Sequence, residues 1–130
     1  MLENSKAFNG FAVDDVRKAK EFYGEKLGLK VTALNKEEEL MELHLNSDRP
    51  TLFYVKPDVE PANSTILNFP VDDIDEAVDG LAAKGVEFEK YDGMDQDEKG
   101  VMRGIAAGRG PDIAWFKDPA GNILSVLKEG

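Results

Sequence analysis

The chain contains no cysteine, and only one histidine and one tryptophan among its 130 residues. Without thiols there is no disulfide framework, no thiolate metal site and no cysteine nucleophile, as suits a reducing compartment. Basic residues are also few: 16 Lys and Arg stand against 26 Asp and Glu, a formal net charge of −10. Such a surface repels phosphate backbones and gains nothing from counterion release, so no nucleic-acid partner is expected. No apolar run approaches the roughly 20 residues of a membrane span. The opening MLENSKAFNG lacks the basic stretch and apolar run of a secretory signal. These absences together predict a soluble, cytoplasmic domain with no membrane partner, large enough to bury a core of its own.

What is present is a pattern that occurs twice. Ala7 to Val13 is a short apolar run, Asp14-Asp15 offers an N-cap, and Val16, Ala19, Phe22, Tyr23 and Leu27 recur at helical spacing up to Gly28. LKVTALN, ELMELHLN and TLFYVKP then read as three strands, giving βαβββ. From Thr65 the order restarts: TILNFPV, the cap Asp72-Asp73, and a helix with Ile74, Ala77, Val78 and Leu81 on one face. FAVDDV at Phe11 to Val16 returns as FPVDDI at Phe69 to Ile74, 58 residues later. The predicted layout is module one over about 6–56, a proline-rich linker over about 57–64, and module two over about 65–128. Module two continues through VEFEKYD, a long segment from Gly93 to Pro111, and the runs IAWF and NILSVLK. Segments that long in a compact domain are lids, rims or loops hiding a short strand, and Gly100 to Ile105 is the candidate strand.

VDDVRKAKEFYGEKLGLKV, VDDIDEAVDGLAAKGVEF and WFKDPAGNILSVL together resemble the vicinal-oxygen-chelate superfamily, which includes glyoxalases, bleomycin-resistance proteins and dioxygenases. The turn from Asp118 to Asn122 strengthens the likeness, since proline pre-sets it and Gly121 can take the positive φ that reverses the chain. The resemblance implies an α+β fold in which two tandem βαβββ modules form a cupped mixed sheet, commonly in a homodimer. It also implies where a metal would bind in metal-dependent members. In the first strand that position is Phe8, five residues before Val13, and its repeat is Ile66. In the fourth strand it is Phe53, and at the C-terminus it is Ser125, seven residues after Asp118. None is a strong donor, so no metal and no other cofactor are expected.

Other catalytic readings lack parts. His44 and Glu42 share one strand face, but two donors fall short of the three a divalent catalytic site needs. A nucleophile would have to pair His44 with Ser64 or Ser125, neither in a Gly-x-Ser-x-Gly elbow. The glycines of Gly100 to Gly110 lack a Walker lysine pattern, and the two Asp pairs are explained as helix caps. Strand alternation puts Phe8, Gly10 and Ala12 on one face, and Ile66, Asn68 and Pro70 on the matching face of the repeat. By the resemblance this is the cup side. The expected ligand-binding set is Phe8, Gly10, Phe53, Ile66, Asn68, Trp115 and Ser125, an apolar lining with isolated hydrogen-bonding groups that suits a small organic molecule. Whether the chain also catalyses is left open, with no catalytic residue assigned. The enzymatic alternative is a glyoxalase-like lyase, epimerase or dioxygenase using His44 and Glu42, or a loop carboxylate among Asp95, Asp97 and Glu98.

Overall fold

A computed structural model describes all 130 residues, which divide into two compact units, Met1–Glu60 and Pro61–Gly130. In the first unit β1 (Gly10–Val13) leads into α1 (Val16–Lys20) and its π-helical continuation (Glu21–Lys26), followed by β2 (Lys30–Ala33), β3 (Leu40–His44) and β4 (Thr51–Val55). The sheet order is β1-β4-β3-β2, with β1 parallel to β4 and the other pairs antiparallel. The second unit holds β5 (Thr65–Pro70), α2 (Ile74–Ala83), β6 (Met102–Arg103), α3 (Gly104–Ala107), β7 (Asp112–Lys117) and β8 (Ile123–Lys128). Its order, β5-β8-β7-β6, reproduces the first sheet. No helix is long and apolar enough to cross a membrane.

Both helices start as the acidic pairs predict. The second member of each pair is the N-cap: Asp15 accepts from the Lys18 N–H and Asp73 from the Glu76 N–H. In the first helix the π-helical turn rotates less per residue than an α-turn, so the consecutive Phe22 and Tyr23 are both buried. Tyr23 packs on Phe11 and Phe53 with ring centroids 5.6 and 5.8 Å away, and Phe11 stacks on Phe53 at 5.8 Å. Val13, Ala19, Met41 and Leu43 are also buried in this unit. In the second unit α2 packs on β7 and β8, with Ile74, Val78, Leu67, Ala114, Phe116, Leu124 and Val126 buried.

The second unit departs from a simple copy after α2. VEFEKYD is not a full strand. It makes one bridge, Phe88 to Phe116, while the two-residue β6 pairs with the opposite end of β7 at Asp112 and Ile113. The outer edge of the sheet is therefore shared between two segments, and the short strand expected within Gly100 to Ile105 is Met102–Arg103.

The long connection around them is pinned rather than loose. Gln96 accepts from the Tyr91 N–H at 2.8 Å and donates to the carbonyls of Glu89 and Gly100 at 2.9 and 2.8 Å. Asp97 accepts from the N–H groups of Lys99 and Val101 and from Arg103. Arg103 also forks onto Asp75 of α2 at 2.8 and 3.1 Å, and Lys99 reaches Asp75 and Asp79. The turn Asp118–Asn122 is closed by the Asp118 carboxylate, which accepts from the N–H groups of Ala120 and Asn122, with Gly121 at φ +97°.

Two outcomes follow from this packing. Phe53→Ala removes a fully buried ring from the first unit and is expected to destabilise the protein by about 3–5 kcal/mol, measured by urea denaturation. Hydrogen bonds from Arg103 and Lys99 hold the Asp75 carboxyl down to about 2, against an ordinary 3.8. Asp97 is also lowered: burial opposes this but is outweighed by the Val101 N–H, Arg103 and the Lys99 N–H. Because both folded-state values are depressed, their stabilisation is complete above the ordinary carboxylate range and is lost as pH falls through the folded values. Amide hydrogen exchange of residues 95–103 should accelerate selectively between about pH 4 and pH 2, and Asp75→Asn should reduce that pH dependence, leaving the part due to Asp97.

Candidate functional site

Each sheet has one face covered by its helix, so alternation assigns the remaining side chains to the other face. In the first unit the register pairs Phe11 with Phe53 and Gly10 with Leu52. Phe53 therefore shares the helix face with Phe11, fully buried in the aromatic cluster, while Gly10 and Leu52 share the helix-free face. This corrects the expectation that Phe53 lies on the ligand-facing side. Position 52 is also the repeat mate of Ser125. Gly10 and Asn68 stand 58 residues apart at equivalent places, Gly10 pairs with Leu52, and Asn68 pairs with Ser125. A one-residue change of register thus replaces one residue without a donor by another.

Phe8 precedes β1 and is 52% exposed, with the Arg49 guanidinium carbon 4.5 Å from its ring centroid. Arg49 in turn donates to the Lys6 carbonyl at 2.8 Å. Ile66 lies at a register shift between Thr65 and Leu67, which breaks simple alternation at that residue.

The second unit brings three of the predicted residues together. Asn68, Ser125 and Trp115 pair in succession across β5, β8 and β7, forming a row on the face away from α2. Ser125 is fully buried, and its hydroxyl donates to Asn68 Oδ1 at 2.5 Å. That bond orients the Asn68 amide so that its N–H₂ end is directed away from the serine. Asn68 itself is exposed and Trp115 half-buried. Tyr91 meets the Trp115 ring edge-on, centroids 5.8 Å apart at 73°. Its hydroxyl oxygen is buried without a hydrogen-bond partner. Burial raises the phenol's pKa, the Glu89 carboxylate adds to the rise, and Lys117 partly offsets it. Glu89 and Lys117 form an ion pair at 3.3 Å across the same edge.

Tyr91 and Glu89 were absent from the predicted set. The signal for them was available in VEFEKYD, where Val86 and Phe88 alternate with Glu87, Glu89 and Tyr91. The sequence alone does not say that Phe88 anchors this segment to Phe116 and so turns Tyr91 towards Trp115.

The positions where the resemblance implies metal ligands, Phe8, Ile66, Ser125 and either Phe53 or its neighbour Leu52, offer hydrocarbon side chains and one weak hydroxyl already engaged with Asn68. No group of three or more His, Cys, Asp or Glu side chains is placed to hold a metal ion. This donor set does not fit the divalent ion used by metal-dependent relatives. Among the loop carboxylates, Asp97 is committed to Arg103 and two backbone N–H groups, while Asp95 and Glu98 are exposed.

Solved structures of distant sequence share this fold. A glyoxalase family protein from Enterococcus faecalis is 21% identical, covers 98% of this chain and 99% of its own, and superposes with a TM-score of 0.67. The antibiotic binding protein TnmS3 from Streptomyces sp. CB03234 is 22% identical over 98% of both chains, at a TM-score of 0.66. A lactoylglutathione lyase from Agrobacterium tumefaciens is 20% identical over 97% and 96%, at 0.62. At these identities the likeness is one of fold. No curated protein matches the chain in sequence. The repeated strand-cap-helix pattern and the Asp118–Asn122 turn nevertheless fall within a family match that runs over residues 8–126, and the chain belongs to the Glyoxalase/Bleomycin resistance protein/Dioxygenase superfamily.

Proposed function

We propose that this protein binds a small organic molecule against the helix-free face of its second sheet, and does so without a metal ion. The observation that carries the reading is the Asn68-Ser125-Trp115 row. An indole offers a flat apolar surface, and the oriented Asn68 amide offers a hydrogen bond of defined direction, a division of labour typical of ligand pockets. Tyr91, edge-on to Trp115, extends the aromatic wall. TnmS3, similar in fold, is an antibiotic binding protein, and the aromatic wall of this site makes an aromatic antibiotic the first class to try. The enzymatic alternative rests on His44 and Glu42, which supply fewer donors than a divalent catalytic site requires.

Trp115 is the only tryptophan, so its fluorescence reports on the site directly. Titration with a panel of aromatic antibiotics is expected to quench it saturably, and Asn68→Ala should weaken the best binder about fivefold through loss of one hydrogen bond. Ser125→Ala should alter the ranking among ligands more than the strongest affinity, because the serine acts by orienting Asn68. Saturable quenching indifferent to both substitutions would place the ligand elsewhere and end the proposal. Elemental analysis of protein purified without chelators should find substoichiometric zinc, nickel and iron. A full equivalent of any of these, lost in His44→Ala, would contradict the metal-free reading.

A further inference from the structure

His44, the only histidine, lies on the helix-free face of the first sheet. In the β2/β3 ladder Thr32 stands opposite Glu42 and Lys30 opposite His44, so the four side chains share that face. Thr32 Oγ1 is 3.3 Å from Glu42 Oε1 and 3.0 Å from His44 Nε2. These contacts fix the direction of the hydrogen bonds. An ionised carboxylate only accepts, so the single hydroxyl proton of Thr32 goes to Glu42. The threonine oxygen then presents lone pairs to the imidazole, and His44 Nε2 must carry the proton between them. In the neutral ring this leaves the lone pair on Nδ1.

The relay adjoins an apolar stretch of the same face. Glu42 pairs with Leu52 and Leu40 with Tyr54, and Tyr54 is 44% exposed. Glu42 and His44 are half-buried, which strengthens the electrostatic coupling between them relative to a fully solvated pair. A carboxylate acting on an imidazole through an intervening hydroxyl orients the ring, as in catalytic acid–base pairs.

We propose that Glu42, Thr32 and His44 form a proton-accepting relay for an acidic hydroxyl, a phenol or enol, on an organic molecule lying against Leu52 and Tyr54. The hydroxyl O–H bond breaks as the Nδ1–H bond of His44 forms. The resulting imidazolium keeps its Nε2–H on Thr32, whose hydroxyl is held by Glu42, and Lys30 stands opposite His44 in the ladder. This site shares no residue with the Asn68-Ser125-Trp115 row, and the two proposals stand or fall separately.

With only one histidine, its ring nitrogens can be followed without ambiguity by nitrogen-15 NMR of the full chain at near-neutral pH. The free protein should show a protonated Nε2 and a lone-pair Nδ1. Adding 4-nitrophenol should move Nδ1 towards its protonated position while Nε2 stays protonated. Thr32→Val, which keeps a β-branched strand residue, should bind 4-nitrophenol about fivefold more weakly, and Thr32→Ser should restore the wild-type response. A proton on Nδ1 in the free protein, no Nδ1 response at millimolar 4-nitrophenol, or unchanged binding by Thr32→Val would each overturn the proposal.

Discussion

Successive side chains on a strand point to opposite faces, and each sheet in this protein has a helix on only one of them. That constraint decides the role of nearly every residue discussed above. Phe11 and Phe53 form a core because their register puts them under Tyr23. Gly10 and Leu52, one step away on the same strands, are excluded from that core. A slip of one residue would exchange the two sets, exposing an aromatic cluster and burying residues that cannot fill its volume. The aromatic cluster therefore enforces the register, and the register in turn fixes what the opposite face presents.

The same rule builds the polar features. Asn68, Ser125 and Trp115 come from three strands and meet only because their registers align them in one row. Thr32, Glu42 and His44 are joined by the β2/β3 ladder in the same way. Duplication explains why two sheets have the same order, yet the helix-free faces differ chemically. The first carries a carboxylate, a hydroxyl and an imidazole in series beside Leu52 and Tyr54. The second carries an amide-hydroxyl pair beside two aromatic rings. Membership in a superfamily named for glyoxalases, resistance proteins and dioxygenases does not choose among chemistries, because these lie in the side chains and not in the strand order. Here the side chains at the positions where the family resemblance implies metal ligands are hydrocarbon or weak donors.

The second unit also shows how an insertion is accommodated without losing the sheet. Two segments separated by the Gln96 and Asp97 turn share the edge next to β7, one at Phe116 and one at Ile113. Gln96 ties the start of the insertion to its middle, and Arg103 ties its end to α2. Charged side chains that would suggest acid–base chemistry in isolation are here largely consumed in holding backbone. Asp97 is the clearest case, with two N–H groups and a guanidinium on one carboxylate.

The sequence by itself determined the duplication, the strand-cap-helix order, that Asp14-Asp15 and Asp72-Asp73 cap the two helices, the turn at Asp118 and the family, because each depends on neighbours close along the chain. At the positions the resemblance implies for metal ligands it offers no strong donor, and a one-residue error between Phe53 and Leu52 does not change that inventory. What it left open was which face Phe53 occupies, how VEFEKYD and Met102–Arg103 divide one sheet edge, and that Tyr91 turns towards Trp115. The link from His44 to Glu42 through Thr32 was equally invisible. Those depend on pairing between strands distant in the chain, where a shift of one residue costs nothing locally and reverses every face; only the packing of the aromatic core against the helix selects one register from the alternatives.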